Sequence, residues 1–306
     1  MTFTAKDVQN LREKTGCGMM DCKKALTASE GNIDKAIEWL REKGLAATAK
    51  KASRIAAEGL VLAAVDKEKK LGAIVEVNVE TDFVAKNETF ISFVDTVAKT
   101  VLEENPKDLD ALLECKAYGQ DLTVADMLRE KIFTIGENMK IRRFARFEGD
   151  CVSYIHGGGK IGVLVKFDTD VADKEGFEAY GKDIAMQIAA ANPGYLDRAS
   201  VPADVIAEEK SILMAQIAND EKLKNKPEKV IEKMVEGKIG KFYKENCLVD
   251  QEFVKNGDLS IAQYTANTAK ELGGSIAIVD FVRFEKGEGL EKRSDNFADE
   301  VASMIK

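Results

Sequence analysis

Histidine, proline and tryptophan are scarce in this chain of 306 residues, which holds one His, four Pro and one Trp. A lone imidazole, His156, leaves acid–base catalysis little to work with. Without a Cys-x-x-Cys pair there is also no ligand set for a structural zinc. The five cysteines, Cys17, Cys22, Cys115, Cys151 and Cys247, are scattered and odd in number, which reads as free thiols in a reducing compartment. No uncharged apolar run approaches the length of about 20 residues that a bilayer-spanning helix needs. The N-terminus MTFTAKDVQNLREK has neither the apolar centre of a secretory signal nor the acid-poor, Ser- and Arg-rich character of a transit peptide. The expected location is the cytoplasm, with no membrane as partner.

Basic surplus is lacking too. Charged residues are 32% of the chain and the net charge is −8, whereas a general nucleic-acid binder needs a basic face to displace phosphate counterions. Residues 1–54 hold 11 Lys and Arg against 7 Asp and Glu, a local +4 too mild to define a nucleic-acid site. Nucleotide cradles are missing as well. GGGKIG, from Gly157 to Gly162, has Ile161 after its lysine where a phosphate loop needs Ser or Thr, and it lies between two candidate strands, so it is a turn. No bound cofactor and no resident metal are expected. A hydrolase assembled from scattered carboxylates remains as a rival, without a visible nucleophile–base pair.

What is present is pattern. Residues 4–44 read as three short helices, with Thr4 capping the first and Ile33, Ala36, Ile37 and Leu40 striping the third, which Gly44 closes. A small-residue, basic linker of helical tendency follows, from Gly44 to Gly59, and the first unit is taken as 1–54. Thereafter KLGAIVEVN at 70–78 matches KIGVLVKFD at 160–168, at an offset of 90, each after a Glu-Gly step and each followed by a helix. RRFARFEGD at 142–150 matches VDFVRFEKGEG at 279–289, and one of these should join each hairpin as an extra strand. The expected body is therefore α+β, two related antiparallel sheet-plus-helix units at 55–147 and at 148–200 with 246–285. Apolar stripes at Val205, Ile206, Leu213 and Ile217, and at Ile231, Val235, Ile239 and Phe242, predict an antiparallel helical hairpin inserted at 201–245. Residues 286–306 form a C-terminal module with a helix from Asn296 to Ile305.

Two segments carry more than pattern. LREKTGCGMMDCKKAL, Leu11 to Leu26, and EVNVETDFVAKN, Glu76 to Asn87, resemble the two signature segments of the elongation factor Ts family, exchange factors for the translational GTPase elongation factor Tu. The likeness extends through IGENMKIRRFARFEGD, YIHG and KMVEGKIGKFYKENCLVDQEFVK to VRFEKGEGLEK, in effect along the whole chain. It implies a ubiquitin-associated-like N-terminal domain, a core of two related subdomains, an inserted helical hairpin and a C-terminal helical module. It also implies that Thr81, Asp82, Phe83 and Val84 intrude near the magnesium and phosphates of elongation factor Tu. Met19, Met20, Lys23, Ile135, Gly136 and His156 would be further partner contacts, with no covalent catalysis anywhere.

The residues themselves leave two readings of the corner open. Glu76-Val-Asn-Val79 alternates as a half-buried strand does, and Asp82-Phe83 follows where strand passes to helix. Either Asp82 caps that helix and Phe83 packs beneath it, or the ring is presented to another molecule. The second repeat has KFDTDVADKE at this place, with no aromatic at the corner. Met19 and Met20 likewise suit either a contact surface or packing within the three-helix unit. A binding module for RNA or nascent chains, using residues 1–54 on an inert core, is the rival from another class.

Overall fold

A computed structural model describes residues 3–15, 17–220, 223 and 226–291. The first three helices are α1 (Ala5–Thr15), α2 (Met19–Ala28) and α3 (Ile33–Lys51). Thr4 and Asp7 cap α1 reciprocally: the Thr4 N–H donates to Asp7 Oδ2 at 2.7 Å and the Asp7 N–H to Thr4 Oγ1 at 3.4 Å. Leu11, Cys22, Ala25, Leu26 and Ala36 close a small core between the helices. Gly44 does not end α3. One glycine costs a helix about 1 kcal/mol, and the good helix formers after it carry the helix on to Lys51.

The chain continues through β1 (Glu58–Asp66), β2 (Leu71–Val79), α4 (Asp82–Ala85), α5 (Glu88–Glu104), α6 (Leu109–Glu114), α7 (Val124–Ile135) and β3 (Met139–Glu148). A second run holds β4 (Asp150–His156), β5 (Ile161–Thr169), α8 (Phe177–Ala191), α9 (Ala203–Asn219), α10 (Glu228–Asn246), β6 (Glu252–Phe253), β7 (Asn256–Ser260), α11 (Ile261–Leu272) and β8 (Ile276–Glu285). The result is an α+β fold with small antiparallel sheets, ordered β1-β2-β3, β4-β5-β8 and β6-β7. The two Arg-Phe-Glu strands, β3 and β8, each complete a three-stranded sheet. Nothing in the periodicity had singled out α7, α11 or the β6–β7 ribbon.

The two larger sheets share one layout. Leu71 pairs with Glu148 and Ile161 with Glu285, and the register slips once in each sheet, after Glu76 and after Lys166. One face of the first sheet is covered by α5 through Phe90, Phe93, Val97 and Val101. One face of the second is covered by α8 through Tyr180, Ile184 and Ile188. The remaining faces meet in a core of Val61, Ile74, Cys151, Leu164 and Phe284. This meeting overturns one expectation. Glu76 to Val79 is not half-buried, because sheet and helix enclose both faces and all four residues are buried.

The helical hairpin is zipped by Leu213 and Ile217 of α9 against Val235 and Ile239 of α10. Val205, Ile206 and Phe242, also assigned to the stripes, are only partly covered. The helix expected from Asn296 to Ile305 lies outside the described residues. Among those described, no helix is long and apolar enough to cross a membrane.

Candidate functional site

The turn from β2 into α4 is built by its first residue. Thr81 is extended (φ −126°, ψ 153°) and its Oγ1 accepts from the Val84 N–H at 3.4 Å, capping α4. Glu137, just past the end of α7, holds the same residue from outside. Its Oε2 accepts from the Thr81 N–H at 3.0 Å and its Oε1 from the Thr81 hydroxyl at 2.7 Å. Beside it, Glu80 Oε1 accepts from the Asn138 N–H at 2.6 Å, and Asn138 Nδ2 donates to the Arg54 carbonyl at 2.7 Å.

Asp82 does not cap α4, since Thr81 occupies that position. Its carboxylate pairs with Lys86 one turn on, at 2.7 Å, and this ammonium holds its pKa below the usual carboxylate value. An exposed pair of that kind contributes little to stability. Phe83 does not pack beneath the helix either: 81% of the residue is exposed. Its neighbours do the anchoring, with Val84 half-buried against the first core and Ala85 inside it. A short helix thus sinks one side and leaves the ring on the other in water.

The further candidates fall into two groups. Ile135 packs half-buried on the first core, and Gly136, at φ +91°, ends α7 in the left-handed conformation that favours glycine. Together with Glu137 they belong to the same corner as Thr81. Met19 and Met20, 53% and 62% exposed, lie with exposed Lys23 on α2. His156 is exposed at the end of β4, its Nδ1 3.0 Å from the Tyr154 hydroxyl. Among the described residues no hydrogen bond or ion pair ties α2 or His156 to the corner.

A buried charge lies behind the corner, on β2. The carboxylate of Glu76 is wholly inside and accepts from Arg142 Nη1 (3.0 Å), Arg143 Nε (2.6 Å), Asn78 Nδ2 (3.1 Å) and the Gly287 N–H (2.8 Å). Burial alone pushes its pKa up, but the Gly287 N–H, the two guanidiniums and the Asn78 amide overcome this and hold it below the ordinary glutamate value. Arg143 also reaches the Glu285 carbonyl and the Glu288 carboxylate, and it stacks over Phe284. Glu76 therefore latches the first sheet to the segment that follows β8. Sequence reasoning missed both Glu76 and Glu137. Glu76 resembled any polar residue of an alternating strand, and Glu137 lies 56 positions from its partner.

Comparison with known proteins sets this geometry in its class. A family model described as elongation factor Ts matches residues 80–288, a span that holds the corner, the end of α7, and Arg142, Arg143 and Gly287 of the Glu76 latch. Full-length relatives agree. Elongation factor Ts of Clostridium perfringens (strain 13 / Type A) is 52% identical over 305 residues, 99% of each chain. That of Clostridium botulinum (strain Eklund 17B / Type B) is 50% identical over 306 residues, again 99% of each. That of Syntrophotalea carbinolica is 50% identical over 309 residues and covers both chains fully. By class this is a translation elongation factor, a protein of protein biosynthesis. The chain belongs to the elongation factor Ts family.

Proposed function

We propose that the chain is the guanine-nucleotide exchange factor of elongation factor Tu. It binds the GDP-loaded GTPase, disrupts its magnesium and phosphate site so that GDP leaves, and lets GTP rebind. Family membership supports the partner, and one observation carries the mechanism: Phe83 stands 81% exposed on a corner whose neighbouring residues are pinned. An aromatic ring left in water forgoes about 1.5–3 kcal/mol of burial, which a partner's surface can supply.

The physics asks for no covalent step. A GTPase holds GDP through backbone amides around the phosphates and a magnesium ion that offsets their charge. The Phe83 ring wedges between side chains that brace the metal-side residues, while Asp82 competes for donors or displaces metal-bound water. Thr81 and Val84 fix the pair to the core. Binding that favours the nucleotide-free partner weakens GDP by the same factor, through linkage. Each coupling increment of about 1.4 kcal/mol is tenfold in affinity.

In the same reading residues 1–54 are a ubiquitin-associated-like domain that grips the GTPase domain through Met19, Met20 and Lys23. The related core subdomains are 55–147 and 148–200 with 246–285, and they add Ile135, Gly136 and His156 to the contact. The hairpin module at 201–245 and the C-terminal module at 286–306 are further contact surfaces, and the partner is engaged through its GTPase domain and a further domain. The factor works in the cytoplasm without a cofactor, membrane or nucleic acid of its own.

Stopped-flow release of a fluorescent GDP analogue from elongation factor Tu is the test. Substoichiometric wild-type chain should accelerate release, and Phe83→Ala should lower the saturating rate about tenfold or more, one coupling increment. Equal rates for wild type and Asp82→Ala/Phe83→Ala, at matched binding, would end the corner's role.

A further inference from the structure

The end of α7 is a junction. Phe133 packs on the core of the first three helices, and Lys51 Nζ of α3 donates to the Ile132 carbonyl at 3.1 Å. Ile135 turns the other way, onto the first sheet's core. Glu137 then reaches back to Thr81 with both carboxylate oxygens, at 3.0 and 2.7 Å. Adjacent residues reciprocate: Glu80 receives the Asn138 N–H while Glu137 receives the Thr81 N–H.

This exchange matters because α4 is only four residues long. A single turn does not sustain itself in water, where helix nucleation is unfavourable. Its orientation has to be imposed at its ends. The Thr81 hydroxyl donates its hydrogen bond to Glu137, which leaves a lone pair facing the Val84 N–H, so one carboxylate fixes both the backbone entry and the cap. Val84 and Ala85 sink the inner side of α4 in the first core, whereas the hydrogen bonds of Glu137 set its entry. The Phe83 ring itself is in water, and Lys86 pairs with Asp82 on an exposed face.

We infer that Glu137 is a positioning residue for nucleotide exchange. It clamps Thr81 so that the Phe83 ring is presented in one orientation, and it makes the corner one rigid unit with Ile135 and Gly136. The inference rests on the reading that the corner acts on the GTPase. Its physical content is preorganisation: a ring that wanders still binds, but it spends fewer encounters in the geometry that dislodges the metal-side residues.

The experiment is a double-mutant cycle on full-length protein, with release of a fluorescent GDP analogue from elongation factor Tu followed across factor concentration. Glu137→Ala should lower the plateau rate about tenfold, one coupling increment, with the half-saturating concentration little changed. Glu137→Gln should keep most of the rate, since its amide oxygen still accepts from the Thr81 N–H. Glu137→Ala/Phe83→Ala should be no slower than Phe83→Ala alone. Wild-type rates for Glu137→Ala, or losses that multiply in the double variant, overturn the clamp while leaving the corner's function standing. Phe83→Ala at the wild-type rate overturns the corner's function and the clamp with it. If Glu137→Ala does not fold, Glu137→Asp, one methylene shorter and so drawn back from both Thr81 donors, carries the same cycle.

Discussion

At the scale of single residues, the corner separates stability from function. Phe83 makes few contacts within its own chain, so Phe83→Ala should shift unfolding free energy by no more than about 0.5 kcal/mol, the range of ordinary surface changes. Urea unfolding checks this, and a large loss would mean that the ring packs after all. Val84 and Ala85 are the opposite case, anchored in the first core. Much of this was legible beforehand. An aromatic beside an acid at a strand-to-helix step, missing from the second repeat, marked the place. Which way the ring points was not legible, because a four-residue helix has no periodicity to read.

Among elements, the repeat has a steric meaning. Gly72 of β2 and Gly162 of β5 occupy the same place in the two nine-residue segments and face each other's sheet. A Cβ on Gly72 would lie 2.9 Å from both Cys151 Cβ and Leu164 Cδ1, and one on Gly162 would lie 2.4 Å from Val61 Cγ1 and 3.2 Å from Ile74 Cδ1. These are equivalent residues with the sheets exchanged, since Val61 and Ile74 correspond to Cys151 and Leu164 at the offset of 90. The glycines let the sheets close on each other. Gly162→Ala should therefore destabilise the protein by about 1–3 kcal/mol, the usual cost of overpacking, in chemical denaturation. Gly119→Ala meets no neighbouring atom, though its φ of +68° adds backbone strain, so it serves as a control without steric crowding.

At the scale of the molecule, the Glu76 latch joins the first sheet to the segment after β8, across 211 residues of chain to Gly287. Its depressed folded-state pKa fixes the sign of a pH effect. The stabilisation is fully present above the unfolded glutamate value of about 4.3 and is lost as pH falls through the lower folded value. Glu76→Gln should cost on the order of 3 kcal/mol at neutral pH, since it leaves two arginines short of their buried partner. Thermal unfolding followed from pH 7 to pH 3 should then show a shallower acid decline for the variant than for wild type. Parallel declines would remove the latch from the account of acid stability.

The sequence alone determined what short-range chemistry determines. Strand alternation, helical stripes, the Thr4 cap and the Arg-Phe-Glu repeat specified an α+β chain, because each signal lies within a few residues of the element it makes. Its signature segments also carried the family. Only tertiary structure decided that Glu76 and Asn78 are inside, that Phe83 is outside, and that Glu137 holds Thr81. Those outcomes depend on which surfaces meet after the chain has closed on itself, and groups 56 or 211 positions apart leave no periodic trace of their meeting.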